Sequence, residues 1–185
     1  MTPIWQVSLE ECRPESLSHE WLALEQRAEA SFFLSWKWIG CWLETVARTE
    51  PLRLLRVLRD GECVGLALLR QRSQLRHGFV YSRRLYFHEC GHPLRDALTM
   101  EYNGLLADTR LTDAVRHHAL RHLVQHETAW DELRLGGVDP VWLPEGEALG
   151  LVAHQVRTVA CDGVDLAVVR DSGDDPEAHL SGNTR

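Results

Sequence analysis

Apolar residues recur with helical spacing in the first part of the chain. Leu17, Trp21, Leu24 and Ala28 lie three or four positions apart, so one face of a helix would turn them all towards a core. Ser35 precedes a second run of this kind and is a residue type that caps helix N-termini. The pattern predicts helices over residues 14–30, 36–48, 111–127 and 140–149.

Short apolar stretches of strand length fill the remaining chain. Asp60 and Gly61 separate two of them and predict a two-residue hairpin turn, because both central positions of that turn need positive φ. The order of strands and helices predicts an α/β (α+β) protein with a mixed, twisted sheet flanked by helices. The predicted strands cover residues 4–9, 52–58, 62–69, 79–87, 99–106, 130–135, 151–159 and 164–169.

Composition narrows the classes of partner. The net charge of −7 makes nucleic acid an unexpected partner, because phosphate neutralisation needs a basic surface. The arginines of residues 70–84 favour a solvated loop over a basic patch. No apolar run is long enough to span a membrane. The five cysteines are odd in number, widely spaced and without a CxxC pair, so we expect reduced thiols and a cytoplasmic protein.

Four segments carry a family resemblance. They are residues 33–38 (Phe-Leu-Ser-Trp-Lys-Trp), 60–66 (Asp-Gly-Glu-Cys-Val-Gly-Leu), 101–106 (Glu-Tyr-Asn-Gly-Leu-Leu) and 130–135 (Trp-Asp-Glu-Leu-Arg-Leu). Together with the element order, they resemble the GNAT acetyltransferase fold and, within it, the CelD/BcsL-type family, which is related to the FemABX transferases. The resemblance covers nearly the whole chain.

The resemblance implies a role in acyl transfer to an amine. Such proteins look like two GNAT-like lobes in tandem, so residues 1–170 would be the N-terminal lobe and residues 171–185 a linker to a second lobe. The implied reaction moves an acyl group from acyl-CoA or a similar donor to an amine acceptor. Amino groups of saccharides or cell-envelope precursors are the implied acceptors. The chain is therefore expected to be part of an enzyme.

The turn that would hold the donor departs from the family pattern. A GNAT donor site places the CoA pyrophosphate on the N-terminus of the helix after the central strand, in a turn of the form Gln/Arg-x-x-Gly-x-Gly/Ala. The corresponding residues 108–112 have no glycine and begin with Asp108. A partial match at residues 134–139 follows a different strand. We therefore expect acyl-CoA as the donor of a longer protein, and no tight binding of it by this chain.

The segment at residues 101–103 supplies the first candidate site. Glu101, on the predicted central strand, would deprotonate the acceptor ammonium, and Tyr102 would protonate a leaving thiolate. Asn103, Glu89 and Trp36 are the candidate substrate-binding residues. In the alternative, Glu101, Tyr102 and Asn103 are structural, and the chain is a non-catalytic interaction module with a degenerate GNAT fold.

A zinc-binding motif suggests a different function, that of a zinc peptidase. Residues 88–92 (His-Glu-Cys-Gly-His) satisfy H-E-x-x-H, which on a helix would bind zinc through His88 and His92 and activate water through Glu89. The preceding residues favour a strand, and Pro93 disfavours a helix at His92. We favour a loop over a zinc peptidase here. A histidine stripe on the helix at 111–127 is expected to be exposed or to lie at an interface, and no metal site is predicted.

Overall fold

A computed structural model describes residues 2–76, 78–96, 100–158 and 166–172 of the chain. It confirms the α/β class, with a mixed sheet between helices. Short 3-10 turns at Phe32–Leu34 and Thr109–Leu111 precede α2 and α3. The elements are β1 (Trp5–Glu11), α1 (Pro14–Glu25), α2 (Trp36–Thr45), β2 (Leu52–Arg59), β3 (Glu62–Arg76), β4 (Val80–Phe87), β5 (Leu106–Ala107), α3 (Thr112–His126), β6 (Glu132–Arg134), α4 (Trp142–Ala148) and α5 (Leu166–Ser172).

The sheet has the order β1-β2-β3-β4-β6, and β5 pairs with β3. Neighbouring strands are antiparallel except β4 and β6, which are parallel. The Asp60–Gly61 turn is confirmed, with φ of 51° and 83°, and it joins β2 to β3. The Ser35 cap is also confirmed, because its hydroxyl accepts a hydrogen bond from the Trp38 backbone N–H at 3.4 Å.

Strands β4 and β5 lie on the same line of the sheet. Phe87 at the end of β4 is opposite Leu69 of β3, and Leu106 of β5 is opposite Leu66 of the same strand. Both pairings are antiparallel, so β5 resumes the path that β4 leaves. The described residues between them, 88–96 and 100–105, which we call the excursion, therefore interrupt one central strand of the sheet.

The excursion corrects the predicted strand at residues 99–106. Within the described part of that range, residues 101 and 102 form a turn, Asn103 forms an isolated bridge, and only Leu106 belongs to a strand. Tyr102 has a φ of 52°, in the left-handed region that an extended strand excludes. Glu101 is thus not on a central strand, and the apolar residues of this short stretch were a poor guide to its conformation.

Each face of the sheet covers its own apolar cluster. On one face, Trp21 of α1 and Ile39 of α2 pack with Leu66 and Leu68 of β3. The Trp21 indole N–H also donates to the Leu34 carbonyl at 2.8 Å, so this buried polar group is satisfied. On the other face, residues of α3 and α4 pack on β2 and β3. The buried members of this second cluster include Leu55, Val57, Val64, Ala67, Leu69, Val115, Ala119, Leu120, Leu123 and Trp142.

The last two predicted strands are wrong where the structure describes them. The chain forms two compact units, Met1–Ala153 and His154–Arg185. Residues 151–158 form no strand, and Val152 and Val156 are 96% and 93% exposed. Residues 166–169, in the second unit, belong to helix α5, since a short apolar run fits a helix as well as a strand. Residues 159 and 164–165 lie outside the described residues.

Asp171 and Ser172, expected to begin a linker, are the last residues of α5. The rest of that segment lies outside the described residues, so the lobe boundary near residue 170 stays a prediction. Among the described residues, no helix combines the length and apolar character that crossing a bilayer requires.

Close packing of α3 on the sheet makes Gly65 a sensitive position. A Cβ atom at Gly65 would lie 2.3 Å from Cγ1 of Val115, so Gly65→Ala should force β3 and α3 apart. We expect the free energy of unfolding of Gly65→Ala, measured in urea titrations, to be lower than that of the parent by about 1–3 kcal/mol. Gly146→Ala is the matched control, because its Cβ would have no neighbour closer than 3.7 Å. Equal stability of the two variants would contradict this packing.

Candidate functional site

Strands β4 and β6 form a short parallel pairing that ends at the pair Tyr86 and Arg134. The two strands separate after this pair. Beyond that pair, the excursion enters between them. The backbone N–H of Asn103 donates to the Gly137 carbonyl at 2.8 Å, and Asn103 forms a parallel bridge with Val138. We call the space between the diverging ends of β4 and β6 the splay.

The Asn103 carboxamide fills the splay. Its Nδ2 donates to the carbonyls of Phe87 and Gly136, each at 3.0 Å. Its Oδ1 accepts from the backbone N–H of Gly104 at 2.8 Å and lies 2.8 Å from Nδ1 of His88. The side chain is 6% exposed and all its hydrogen-bonding groups are used. Asn103, a candidate substrate-binding residue, thus joins β4 to the chain after β6.

His88 is the buried partner of this carboxamide. Its Nε2 accepts from the Leu68 backbone N–H at 2.9 Å, so the proton sits on Nδ1 and is donated to Asn103. Burial lowers the pKa of His88 to about 4, which keeps the ring neutral. Both ring nitrogens are therefore engaged within the protein.

This geometry does not support the zinc-peptidase hypothesis. Residues 88–92 form no helix, and His92 Nδ1 accepts from the backbone N–H of Leu94 at 3.3 Å. Across the residues that the structure describes, no group of three or more His, Cys, Asp or Glu side chains could hold a metal ion. The histidines of α3 are used in other contacts, such as the stacking of His118 on Trp5 with ring centroids 4.3 Å apart.

Glu89 lies at the mouth of the splay, and its side chain is 16% exposed. Burial raises the pKa of its carboxyl to about 7; Asp96 adds to the rise, and Arg134 opposes it. Arg134 is itself exposed and approaches the carboxylate only to 3.8 Å. Gly136 makes room for the group, because a Cβ there would lie 2.3 Å from Glu89 Oε1. A mostly buried carboxyl whose ion pair is with an exposed arginine can exchange a proton near neutral pH.

The sequence-predicted catalytic pair lies on the surface of the excursion. Glu101 is exposed, and its Cα would be 3.6 Å from a Cβ at Gly137, so its backbone passes beside the chain that follows β6. The Tyr102 side chain is 62% exposed, and its carbonyl accepts from the Ser31 hydroxyl at 3.0 Å. Glu89, Glu101, Tyr102 and Asn103 thus all belong to the excursion, with Glu89 beside Gly136 and the Glu101 backbone beside Gly137.

Trp36 belongs to a different region, on the first turn of α2. It is partly buried, its ring lies 6.4 Å from that of Trp21, and Gly40 leaves room for it. Its backbone N–H donates to the Glu25 carboxylate at 2.8 Å. These contacts place Trp36 beside the core of α1 and α2. Its link to the splay runs through Trp21, whose ring centroid lies 5.9 Å from that of His88.

An acid occupies the turn that would receive the phosphates of acyl-CoA. Asp108 is buried, and its Oδ1 accepts from the backbone N–H of Arg110 at 3.1 Å. Hydrogen bonds from the Arg110 side chain hold the pKa of Asp108 below its ordinary value. The adjacent cavity of about 320 Å³ is also lined by Asp60, Glu62 and Arg59. Three carboxylates beside two arginines do not suit an anionic pyrophosphate.

Acyl-CoA therefore does not fit the residues present. The start of α3 carries an internal carboxylate where the phosphates would bind, and the splay is filled by Asn103. We assign no chemical step of this chain to that donor.

Comparisons with known proteins give a limited similarity. No protein-family model and no curated protein sequence matches the chain. Solved structures that resemble it include an acetyltransferase from Trypanosoma brucei, at 18% identity and a TM-score of 0.44, covering 85% of this chain and 99% of that one. Another is glucosamine-6-phosphate N-acetyltransferase from Arabidopsis thaliana, at 7% identity and 0.46, covering 84% and 98%.

A third similar structure is an aminoglycoside 6'-N-acetyltransferase from Acinetobacter haemolyticus, at 12% identity and a TM-score of 0.49. The similarity covers 85% of this chain and 99% of that one. At these identities and TM-scores, the similarity identifies neither a substrate nor the role of any residue.

The raised pKa of Glu89 predicts a pH-dependent cost to stability. The folded state holds its proton up to about pH 7, whereas the unfolded carboxyl loses it near pH 4.5. The folded state therefore binds more protons between these values, and stability from this group falls as pH rises through them. Glu89→Gln lacks this loss. The free energy of unfolding of the variant, minus that of the parent, should therefore increase from pH 5 to pH 8.

Urea titrations at several pH values measure that difference. His88, whose pKa is lowered to about 4, contributes the opposite slope in both proteins and cancels in the comparison. A constant difference between variant and parent across pH 5 to 8 would contradict the environment assigned to Glu89.

Proposed function

We propose that the chain is the GNAT-like N-terminal lobe, residues 1–170, of an N-acyltransferase, and that it supplies the acceptor side of the reaction. The second GNAT-like lobe, reached through a linker from residue 171, would bind the acyl donor. The element order supports this proposal: four antiparallel strands are followed by α3 and by β6, which runs parallel to β4. Apart from the strand predicted at residues 99–106, this is the predicted element order on which the family resemblance rests.

Glu89 is the observation that carries the proposal. An amine acceptor is an ammonium ion at neutral pH and must lose a proton before it can attack an acyl group. The Glu89 carboxyl, with its pKa raised to about 7, can bind that ammonium and accept the proton. Its nearest cation, Arg134, is 3.8 Å away and exposed, which leaves the carboxyl able to gain from a closer positive charge.

Amino sugars and other saccharide or cell-envelope amines are the proposed acceptor class, following the family resemblance. The proposal assigns Glu89 the role of base, in place of Glu101, because Glu101 is an exposed residue of a turn. The donor remains acyl-CoA or a similar acyl carrier, bound outside this lobe. The cytoplasm is the proposed location.

A non-catalytic interaction module is the second candidate function. The filled splay favours it, because Asn103 closes the space between β4 and β6 with every polar group satisfied. In such a module the excursion would be purely structural, and Glu101→Gln and Tyr102→Phe would leave the function of a longer protein unchanged. Binding of an amine at Glu89 separates the two candidates.

Amine recognition can be tested with glucosamine as the probe. In two-dimensional NMR titrations, we expect glucosamine, and not glucose, to shift the resonances of residues around Glu89. Glu89→Gln should lose at least about tenfold in affinity, as expected when a charged hydrogen bond is removed. Glu101→Gln is the matched control in the same excursion and should bind as the parent does. Equal resonance shifts with glucosamine and glucose would contradict the acceptor assignment. Equal glucosamine affinity of the parent and Glu89→Gln would contradict it as well.

Donor binding by the chain itself can be tested by calorimetry with acetyl-CoA. The carboxylate of Asp108 and the filled splay lead us to expect no binding in the micromolar range. Asp108→Asn, which removes the charge but keeps the cap, should not create micromolar binding because Asn103 still fills the splay. Micromolar affinity of the parent would place the donor in this lobe and overturn that part of the proposal.

A further inference from the structure

The splay has the chemistry of a complete carboxamide site. Two carbonyl oxygens, of Phe87 and Gly136, face the NH₂ group of Asn103, each at 3.0 Å. Two N–H donors, His88 Nδ1 and the Gly104 backbone, face its Oδ1, each at 2.8 Å. These are the two acceptors and two donors that a primary amide needs. We infer that the splay is a carboxamide-binding subsite that the chain occupies with its own Asn103 side chain.

Most of the site belongs to the frame rather than to Asn103. His88 is fixed to β3 by two hydrogen bonds, from its backbone N–H to the Leu68 carbonyl at 2.8 Å and from the Leu68 N–H to its Nε2 at 2.9 Å. Phe87 is the last residue of β4, and Gly136 follows β6. None of these groups needs the Asn103 side chain for its position, so removing the carboxamide leaves a preformed hole of matching polarity.

Self-occupation has a consequence for ligands. A molecule that carries an amide can enter the splay only in competition with Asn103, whose covalent attachment gives its carboxamide a high effective concentration. The splay of the parent protein is therefore closed to free amides. This inference concerns the splay alone and does not depend on any enzymatic activity of the chain.

Chemical rescue tests the inference directly. Asn103→Gly removes the carboxamide together with Cβ, and acetamide supplies the same atoms, its methyl group standing for Cβ. We expect the Tm of Asn103→Gly to be lower than that of the parent by about 5–10 °C, because two carbonyls and two N–H groups lose their buried partners. Acetamide should raise the Tm of this variant saturably, as binding to the folded state does.

Three controls sharpen the comparison. N,N-dimethylacetamide has no N–H to donate and should not rescue Asn103→Gly. Asn103→Ala keeps Cβ, which would collide with the acetamide methyl group, so formamide should rescue this variant and acetamide should not. Gln71→Ala, which removes an exposed carboxamide that donates to the Ala129 carbonyl at 2.7 Å, should lose little Tm and show no rescue.

The outcomes decide the inference. Saturable rescue that follows amide size and N–H content supports it. An unchanged Tm for Asn103→Gly overturns it. So does a Tm increase of this variant that is equal with acetamide and N,N-dimethylacetamide, or an equal increase of the parent's Tm with acetamide. If Asn103→Gly is unfolded in buffer, its refolding yield in acetamide and in N,N-dimethylacetamide, followed by near-ultraviolet circular dichroism, makes the same decision. Failure of glucosamine or acetyl-CoA to behave as proposed would leave this result unaffected.

Discussion

The Asn103 carboxamide holds together the part of the sheet on which the candidate site depends. Where β4 stops at Phe87, the backbone carbonyls there and at Gly136 lose the partners that continued pairing would provide. Buried carbonyls without partners are costly, so an interruption of a central strand needs a replacement donor at that point. One primary amide donates to both carbonyls, which allows the excursion to leave the sheet and return as β5.

The elements with local signals could be predicted from the sequence. The Asp60–Gly61 turn, the Ser35 cap and the helical spacing of Leu17, Trp21 and Leu24 depend on residues within a few positions of one another, and the structure confirms them. The helix ends at Glu25 rather than at residue 30, and Ala28 forms a bridge with Asp108 instead. The α/β class follows from the order of such elements. The predicted strand at residues 79–87 also stands, as β4, since its residue types and its length both favour a strand.

The candidate site depended on contacts that the sequence does not display. Glu89 became the central carboxyl only because Gly136, distant along the chain, leaves space beside it, and the raised pKa follows from that burial. Glu101 looked like a strand residue because its neighbours are apolar, yet a positive φ at Tyr102 turns the chain. The H-E-x-x-H pattern lies in the excursion, but its first histidine serves as a hydrogen-bonding partner of Asn103.

The polar side chains of the excursion are of two kinds: those whose hydrogen-bonding groups are all used, and Glu89. This difference separates the residues that hold the structure from the residue proposed to bind a ligand. Asn103 and His88 have every hydrogen-bonding group satisfied at about 3 Å, so a further ligand would gain little from them. Glu89, 16% exposed and 3.8 Å from its nearest cation, is buried enough to be perturbed and open enough to be reached. A polar group of this second kind gains free energy when a charged partner arrives. The buried pair therefore fixes the splay. The Glu89 carboxyl at its mouth, paired at 3.8 Å with Arg134, is the group to which the proposed function assigns the amine.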